Sequence, residues 1–186
     1  SNRFKGDLRI DAGAGSTIGL ESSALPSGAG TNVVIALANN ARARYEAGNT
    51  DDLSGQLSLA AGATGKLDLG NNNVVFNSAL AVTTGTGSTA TLSKEGSGKL
   101  TIAAGNNTNL NVAVTAGTLV VNSSLGNVTL ASGTTLGGAG TVGAVTTVSG
   151  STIGPGNSPG NLTSSSLALV GGSTFEWQVQ DATAAA

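Results

Sequence analysis

Val128-Thr129-Leu130-Ala131-Ser132-Gly133-Thr134-Thr135-Leu136 is the stretch that decides the fold. Two apolar residues flank a third position, two small residues follow, and Gly closes the unit. Behind the Gly, a hydroxyl residue leads into the next apolar one. Alternation of apolar and polar residues over so few positions is the pattern of a half-buried strand. Gly supplies backbone angles that other residues resist, so it suits a sharp corner. The stretch therefore predicts a short strand, a Gly corner and the start of a second strand.

The same unit recurs along the chain, and a repeat governs the fold of everything that contains it. Copies run Leu8 to Gly13, Leu57 to Gly62, Leu100 to Gly105, Val112 to Gly117, Val145 to Gly150 and Leu167 to Gly172. Only the middle position wavers, as at Thr147. Ser or Thr and then an apolar residue follow the Gly in Thr118-Leu119, Ser151-Thr152-Ile153 and Ser173-Thr174-Phe175. In the second half the corner glycines stand at positions 105, 117, 133, 150 and 172. Such unequal gaps fit one turn of a solenoid with variable loops. Helix signals are nearly absent, and even Ala38 to Glu46 alternates small with large residues and reads as strand.

Composition agrees with thin stacked layers. The chain has 186 residues, 39% hydrophobic but only 3% aromatic, so small branched side chains must fill the core. Its 29 Gly invite a flexible-linker reading, which the regular recurrence of Val, Leu and Ile defeats. No composition shift divides the chain, so residues 1–186 are read as a single unit. The expected fold class is all-β, a right-handed parallel β-helix (β-solenoid). With strands about 4.8 Å apart and about 18 to 20 residues per rung, roughly nine or ten rungs are expected. Both ends would be open strand edges, which invite pairing with another chain. With no Met and a chain that starts at Ser1, the segment is expected to be excised from a longer protein.

Charge excludes several functions. Charged residues make up 10% of the chain, and none occurs from Leu100 to Thr174. A soluble surface ordinarily carries about 25 to 35% charge, so this stretch is expected to meet other protein. A net charge of −2 without a basic patch speaks against nucleic acid. No apolar run is long enough for a membrane helix. The absence of Cys removes disulfides and thiolate metal sites, and the absence of His removes Ser-His-Asp and Cys-His catalysis.

Residues 90–181 carry a family likeness. Leu92-Ser93-Lys94-Glu95-Gly96-Ser97-Gly98-Lys99-Leu100-Thr101-Ile102, followed by Val114 to Val121, resembles the autotransporter-associated β-strand repeat. So does Leu136 to Val142, leading into Ile153-Gly154-Pro155-Gly156-Asn157-Ser158-Pro159-Gly160-Asn161-Leu162-Thr163. The resemblance implies a right-handed β-helix in an exported passenger or a very large surface protein, with secretion or stalk-building as its role and no catalytic residues. The expected location is extracellular or on the bacterial cell surface, associated with the outer membrane. Expected partners are neighbouring repeats or other copies, end to end, and surface glycans.

Candidate chemistry is sparse. On a β-helix the remaining enzymatic option is polysaccharide cleavage by carboxylates or a basic side chain. Asp7, Arg9 and Asp11 share one strand face, as do Arg42, Arg44 and Glu46, and cross-strand charge pairing explains both sets equally well. Tyr45 and Trp177 are the candidate sugar platforms. Asn49-Thr50-Asp51-Asp52 is rich in oxygens that suit Ca²⁺, although a polar turn accounts for it. Gly96-Ser97-Gly98-Lys99 lacks the Ser or Thr and the helix of a phosphate loop. Asn71-Asn72-Asn73 and Asn106-Asn107 read as turns or as side-chain ladders. The threonines of Thr83-Thr84-Gly85-Thr86 do not repeat from rung to rung as an ice-binding face would. No catalytic, cofactor or metal residue is assigned, and the expected function is architectural.

Overall fold

The structure, a computed structural model, describes residues 8–22, 33–83, 88–156 and 160–177. Asp7, Thr84 to Thr86, Asn157 to Pro159 and Gln178 to Gln180 lie outside these residues. The described residues form strands and turns without a helix. In chain order the first strands are β1 (Leu8–Ala12), β2 (Thr17–Leu20), β3 (Val33–Leu37), β4 (Arg42–Tyr45), β5 (Leu57–Ala60), β6 (Thr64–Asp68), β7 (Val74–Phe76), β8 (Ala81–Thr83) and β9 (Ala90–Glu95). Then come β10 (Lys99–Ile102), β11 (Asn106–Asn107), β12 (Leu110–Val114), β13 (Thr118–Val121), β14 (Ser124–Leu125) and β15 (Val128–Leu130). The last are β16 (Thr135–Gly138), β17 (Thr141–Thr146), β18 (Thr152–Pro155), β19 (Thr163–Ala168) and β20 (Thr174–Phe175).

The architecture is all-β, with mostly parallel strands in curled sheets. The longest parallel succession is β2-β4-β6-β9-β12-β15-β17-β19, in which each pass of the chain adds one strand beside the last. A second succession runs β7-β10-β13-β16-β18-β20, and a third, β1-β3-β5-β8, serves the first half. Strand β17 belongs to two faces. Its Thr141 pairs with Ser124 of β14 while its Val145 pairs with Val128 of β15.

The core is built of ladders. Leu92, Val112, Val128 and Val145 stand in one register and are all buried. On the second succession Val74, Leu100, Leu119, Leu136 and Ile153 do the same. Every second side chain thus points inward, the period that strands impose. A buried Leu or Ile stabilises by about 1.5 to 3 kcal/mol through the area it removes from water, so shifting a strand by one residue would forfeit a whole rung of this gain.

Pass lengths differ from the expected 18 to 20 residues. Val112 faces Val128, sixteen positions on, whereas Lys66 faces Ser93, twenty-seven on. The longest parallel succession consequently holds eight strands, fewer than nine or ten rungs. At about 4.8 Å per step it extends about 34 Å. The surplus residues of the first half occupy broad corners such as that between Glu46 and Leu57.

The corners are four-residue turns. The N–H of Ser151 donates to the carbonyl of Val148 at 3.1 Å, and the hydroxyl of Ser151 donates to the same carbonyl at 2.7 Å. Thr134 with Ala131, Ser173 with Val170 and Ser16 with Gly13 repeat both contacts. The third turn residue needs positive φ, met by Gly150 at 82°. At the first copy Gly15, not Gly13, takes this place, because the turn spans Gly13 to Ser16. Asn40, at φ 61°, substitutes for Gly in the turn Ala38 to Ala41. The expected strand from Ala38 to Glu46 is therefore a turn followed by β4.

Candidate functional site

Arg42, Arg44, Lys66, Asp68 and Glu95 gather on the outer surface of β4, β6 and β9. Register sets Arg42, Lys66 and Ser93 in one row and Arg44, Asp68 and Glu95 in the next. Arg44 binds Glu46 at 2.8 Å, and its pKa is raised by that hydrogen bond and by the charges of Glu46 and Asp68. Arg42 reaches over β6 to Glu95 at 2.7 Å. Arg9 pairs with Asp11 at 2.8 Å on an exposed strand. Arg9 and Asp11 of the first set and all three residues of the second are thus brought into ion pairs on exposed or half-exposed strands, while Asp7 lies outside the described residues. Pairs along the chain, Arg9 with Asp11 and Arg44 with Glu46, and one pair across strands, Arg42 with Glu95, account for them.

The loop from Asn49 to Asp52 closes a corner. One carboxylate oxygen of Asp52 accepts from the N–H and the hydroxyl of Ser54, at 3.0 and 2.6 Å. The other accepts from the N–H and side-chain amide of Asn77 on the next pass, at 3.1 and 3.0 Å. Partial burial pushes the Asp52 carboxyl up, but these bonds outweigh it and hold the group below its ordinary pKa. The side chain of Asn49 is buried and donates to the carbonyl of Leu20 at 2.8 Å. The Asp52 carboxylate is committed to Ser54 and Asn77 in this way, and no group of three or more acidic side chains placed to hold a metal ion occurs among the described residues.

Tyr45 is also withdrawn from the surface. Its ring is buried and its hydroxyl donates to the carbonyl of Asp51 at 3.0 Å. Burial, assisted by the charges of Asp52 and Asp51, raises its pKa. Sugar stacking on Tyr45 is sterically excluded. The asparagines settle as bridges between passes: Asn72 accepts from the N–H of Gly48 and donates to the carbonyl of Glu46, and Asn107 accepts from the N–H of Leu80. These are side-chain bonds to main chain, distinct from an amide ladder. Gly96 to Lys99 forms a corner pressed onto Gly70 and Asn72 of the preceding pass, leaving no cradle for a phosphate.

Two features lie outside the sequence expectations. Lys94 is fully buried in the ladder between Leu67 and Val114. Its ammonium nitrogen donates to the carbonyls of Gly96 and Ala116 at 3.0 and 2.8 Å. Burial lowers its pKa to about 8, opposed by the charge of Asp68. The alternation Ala90, Leu92, Lys94 carried the signal, since it places the lysine on the inward face.

The second feature is a cleft of about 460 Å³ beside β18, β19 and β20. Asn161, Thr163 and Leu162 form one side, and Phe175, Glu176 and Trp177 the other. The two aromatic rings tilt against each other with centroids 5.1 Å apart, and Trp177 is 85% exposed. Comparison of the chain with family models, curated proteins and solved structures found no match.

Proposed function

We propose that the chain is a right-handed parallel β-helix, a β-solenoid, serving as a structural module of a secreted bacterial cell-surface protein: a stalk, adhesin or filament scaffold in an autotransporter-like passenger. The parallel ladder Leu92, Val112, Val128, Val145 and Leu167 is the observation that carries the fold. One chain that returns to the same register on each pass, always parallel, fits a coil that winds along an axis. The exported role rests on the resemblance of residues 90–181.

The last strands favour neighbouring repeats or further copies as partners, end to end. Leu167 continues the ladder of Val145, yet it is 38% exposed where Val145 is 2%. Leu169 and Val170 beside it are about half exposed. Edge strands with apolar side chains template further pairing. Sedimentation velocity across protein concentration, joined to negative-stain imaging, tests this. End-to-end rods support it, whereas a compact monomer at high concentration overturns the assembly role. Protease shaving of intact cells that express the natural protein tests its surface location.

A second reading, glycan binding, is favoured by the cleft at Trp177. Polysaccharide cleavage is disfavoured, because the acidic and basic candidates among the described residues neutralise one another on an open face.

A further inference from the structure

We propose that the cleft bounded by Asn161, Thr163, Phe175, Glu176 and Trp177 binds a neutral saccharide, with the indole of Trp177 as its stacking platform. The proposal deepens the glycan-binding reading and does not depend on the scaffold role. It begins from an anomaly of burial. Indole is among the largest apolar groups and is ordinarily well covered, and this chain has one Trp, standing 85% exposed. A flat aromatic face is electron-rich, which suits the polarised C–H groups on one face of a pyranose ring.

The walls are anchored before any ligand arrives. The N–H of Glu176 donates to the carbonyl of Ile153 at 2.8 Å, and that of Thr163 to the carbonyl of Gly140 at 2.9 Å. Leu162 and Phe175, both of the lining, pack on the core. Preorganisation of this kind reduces the ordering cost of binding. The volume, about 460 Å³, falls within the range of about 300 to 1,000 Å³ typical of small-molecule sites.

The polar groups choose among sugars. Asn161 offers both donor and acceptor, Thr163 a hydroxyl and Glu176 a carboxylate, the set that hydroxyl groups satisfy. Glu176 is the single ionisable residue of the lining. An acidic sugar would meet its charge with no cation to compensate, whereas a neutral sugar meets donors and acceptors and no opposing charge. Selection by an unfavourable charge is as effective as selection by a favourable contact.

Saturation-transfer NMR on the full chain tests this with methyl glucoside, methyl galactoside, cellobiose and N,N′-diacetylchitobiose as neutral probes and digalacturonic acid as the acidic one. At least one neutral probe is expected to show saturable transfer, half-saturating on the order of 1 mM as befits a small open site, and to shift the emission of Trp177. Trp177→Ala is expected to abolish the transfer with the circular dichroism of the chain unchanged. Glu176→Gln is expected to admit digalacturonic acid. Absence of transfer from every neutral probe, or transfer that survives Trp177→Ala, overturns the proposal. So does an emission shift of Trp177 produced by raising protein concentration alone, because a second copy would then be the occupant. Failure would leave the scaffold reading to its own sedimentation test.

Discussion

Replacing Lys94 with Met should change how the stability of the chain depends on pH. Lys94 occupies an inward ladder position flanked by Leu67 and Val114, and its amine meets two main-chain carbonyls with no carboxylate bonded to it. A neutral amine has two N–H groups, enough to serve both carbonyls, so the site accommodates the uncharged form. Burial takes the pKa from 10.5 in the unfolded chain to about 8 in the folded one. Between these values the unfolded state binds more protons, so folding stability rises with pH across that window. The gap of about 2.5 units, at 1.36 kcal/mol per unit, corresponds to a contribution on the order of 3 kcal/mol. Met is nearly isosteric and carries no proton, so the difference between the two chains isolates this group from every other titration. Urea unfolding followed by far-ultraviolet circular dichroism at pH 7, 8, 9, 10 and 10.5 gives the two curves. The stability of the wild type relative to Lys94→Met is expected to climb by on the order of 3 kcal/mol over that range. At high pH the variant should be the weaker, because it lacks the two hydrogen bonds, each worth about 1 kcal/mol. A difference that stays flat with pH would refute the reasoning and mean that the carbonyls hold the ammonium form at its ordinary pKa.

Glycine substitutions should separate contact from conformation. At Gly98 a Cβ would clash with the carbonyl oxygen of Asn72, and main chain yields poorly, so Gly98→Ala is expected to cost about 3 kcal/mol or more in urea unfolding. Gly55→Ala, with nothing within 4 Å of its Cβ and no positive φ, should change the midpoint little. Asp52→Asn removes the charge from a carboxylate that accepts four hydrogen bonds across a corner. It should lower the melting temperature at neutral pH and converge with the wild type in acid, because the stabilisation is present above the unfolded carboxyl pKa and is lost as pH falls through the lowered folded value. Leu169→Glu with Val170→Glu places charge on the exposed apolar edge, and sedimentation should then lose its dependence on concentration. Incubation with polygalacturonate should release no product, as followed by reducing-end assay.

Strand content and its inward alternation were legible because each depends on a few adjacent residues. Val128 to Leu136 shows its strand, turn and next strand directly, and the structure places Gly133 at the left-handed turn position. The breadth of each pass was not legible, because nothing local reveals which distant strand will lie alongside. Lys66 meets Ser93 twenty-seven positions on, and within that pass Asn77 bonds back to Asp52, twenty-five positions earlier. Tyr45 was misread as a surface platform for the same reason. Its parity with Ala43 marks it as inward, but the loop that covers its hydroxyl comes from residues six positions on. The cleft at Trp177 is assembled from two passes, so only its aromatic residue was visible in advance.

The buried polar residues are distributed with a purpose that the pass lengths explain. Where passes are short, from Val112 to Ile153, the interior rows are mainly Val, Leu and Ile; the buried hydroxyls of Thr134 and Ser151 belong to turns, and that of Thr147 bonds to Ala168 and Val170 of the next pass. Lys94 and Asn107 sit elsewhere, where the pass contracts: Thr64 meets Thr91 twenty-seven positions on, but Thr91 meets Asn111 only twenty on. There the N–H of Leu80 also donates to the side-chain oxygen of buried Asn107. A purely apolar interior tolerates slippage between two cross-sections of different breadth, because one aliphatic contact replaces another at little cost. A buried amine that serves two carbonyls, as Lys94 does, does not, because an unsatisfied group costs about 1 to 3 kcal/mol. Lys94, with both carbonyls served, therefore helps to fix the register where the pass contracts from twenty-seven to twenty residues. On this argument Lys94→Met should gain stability at neutral pH and lose uniqueness of pairing. Amide exchange at β9 and β12 in the variant should then be faster than its global stability allows.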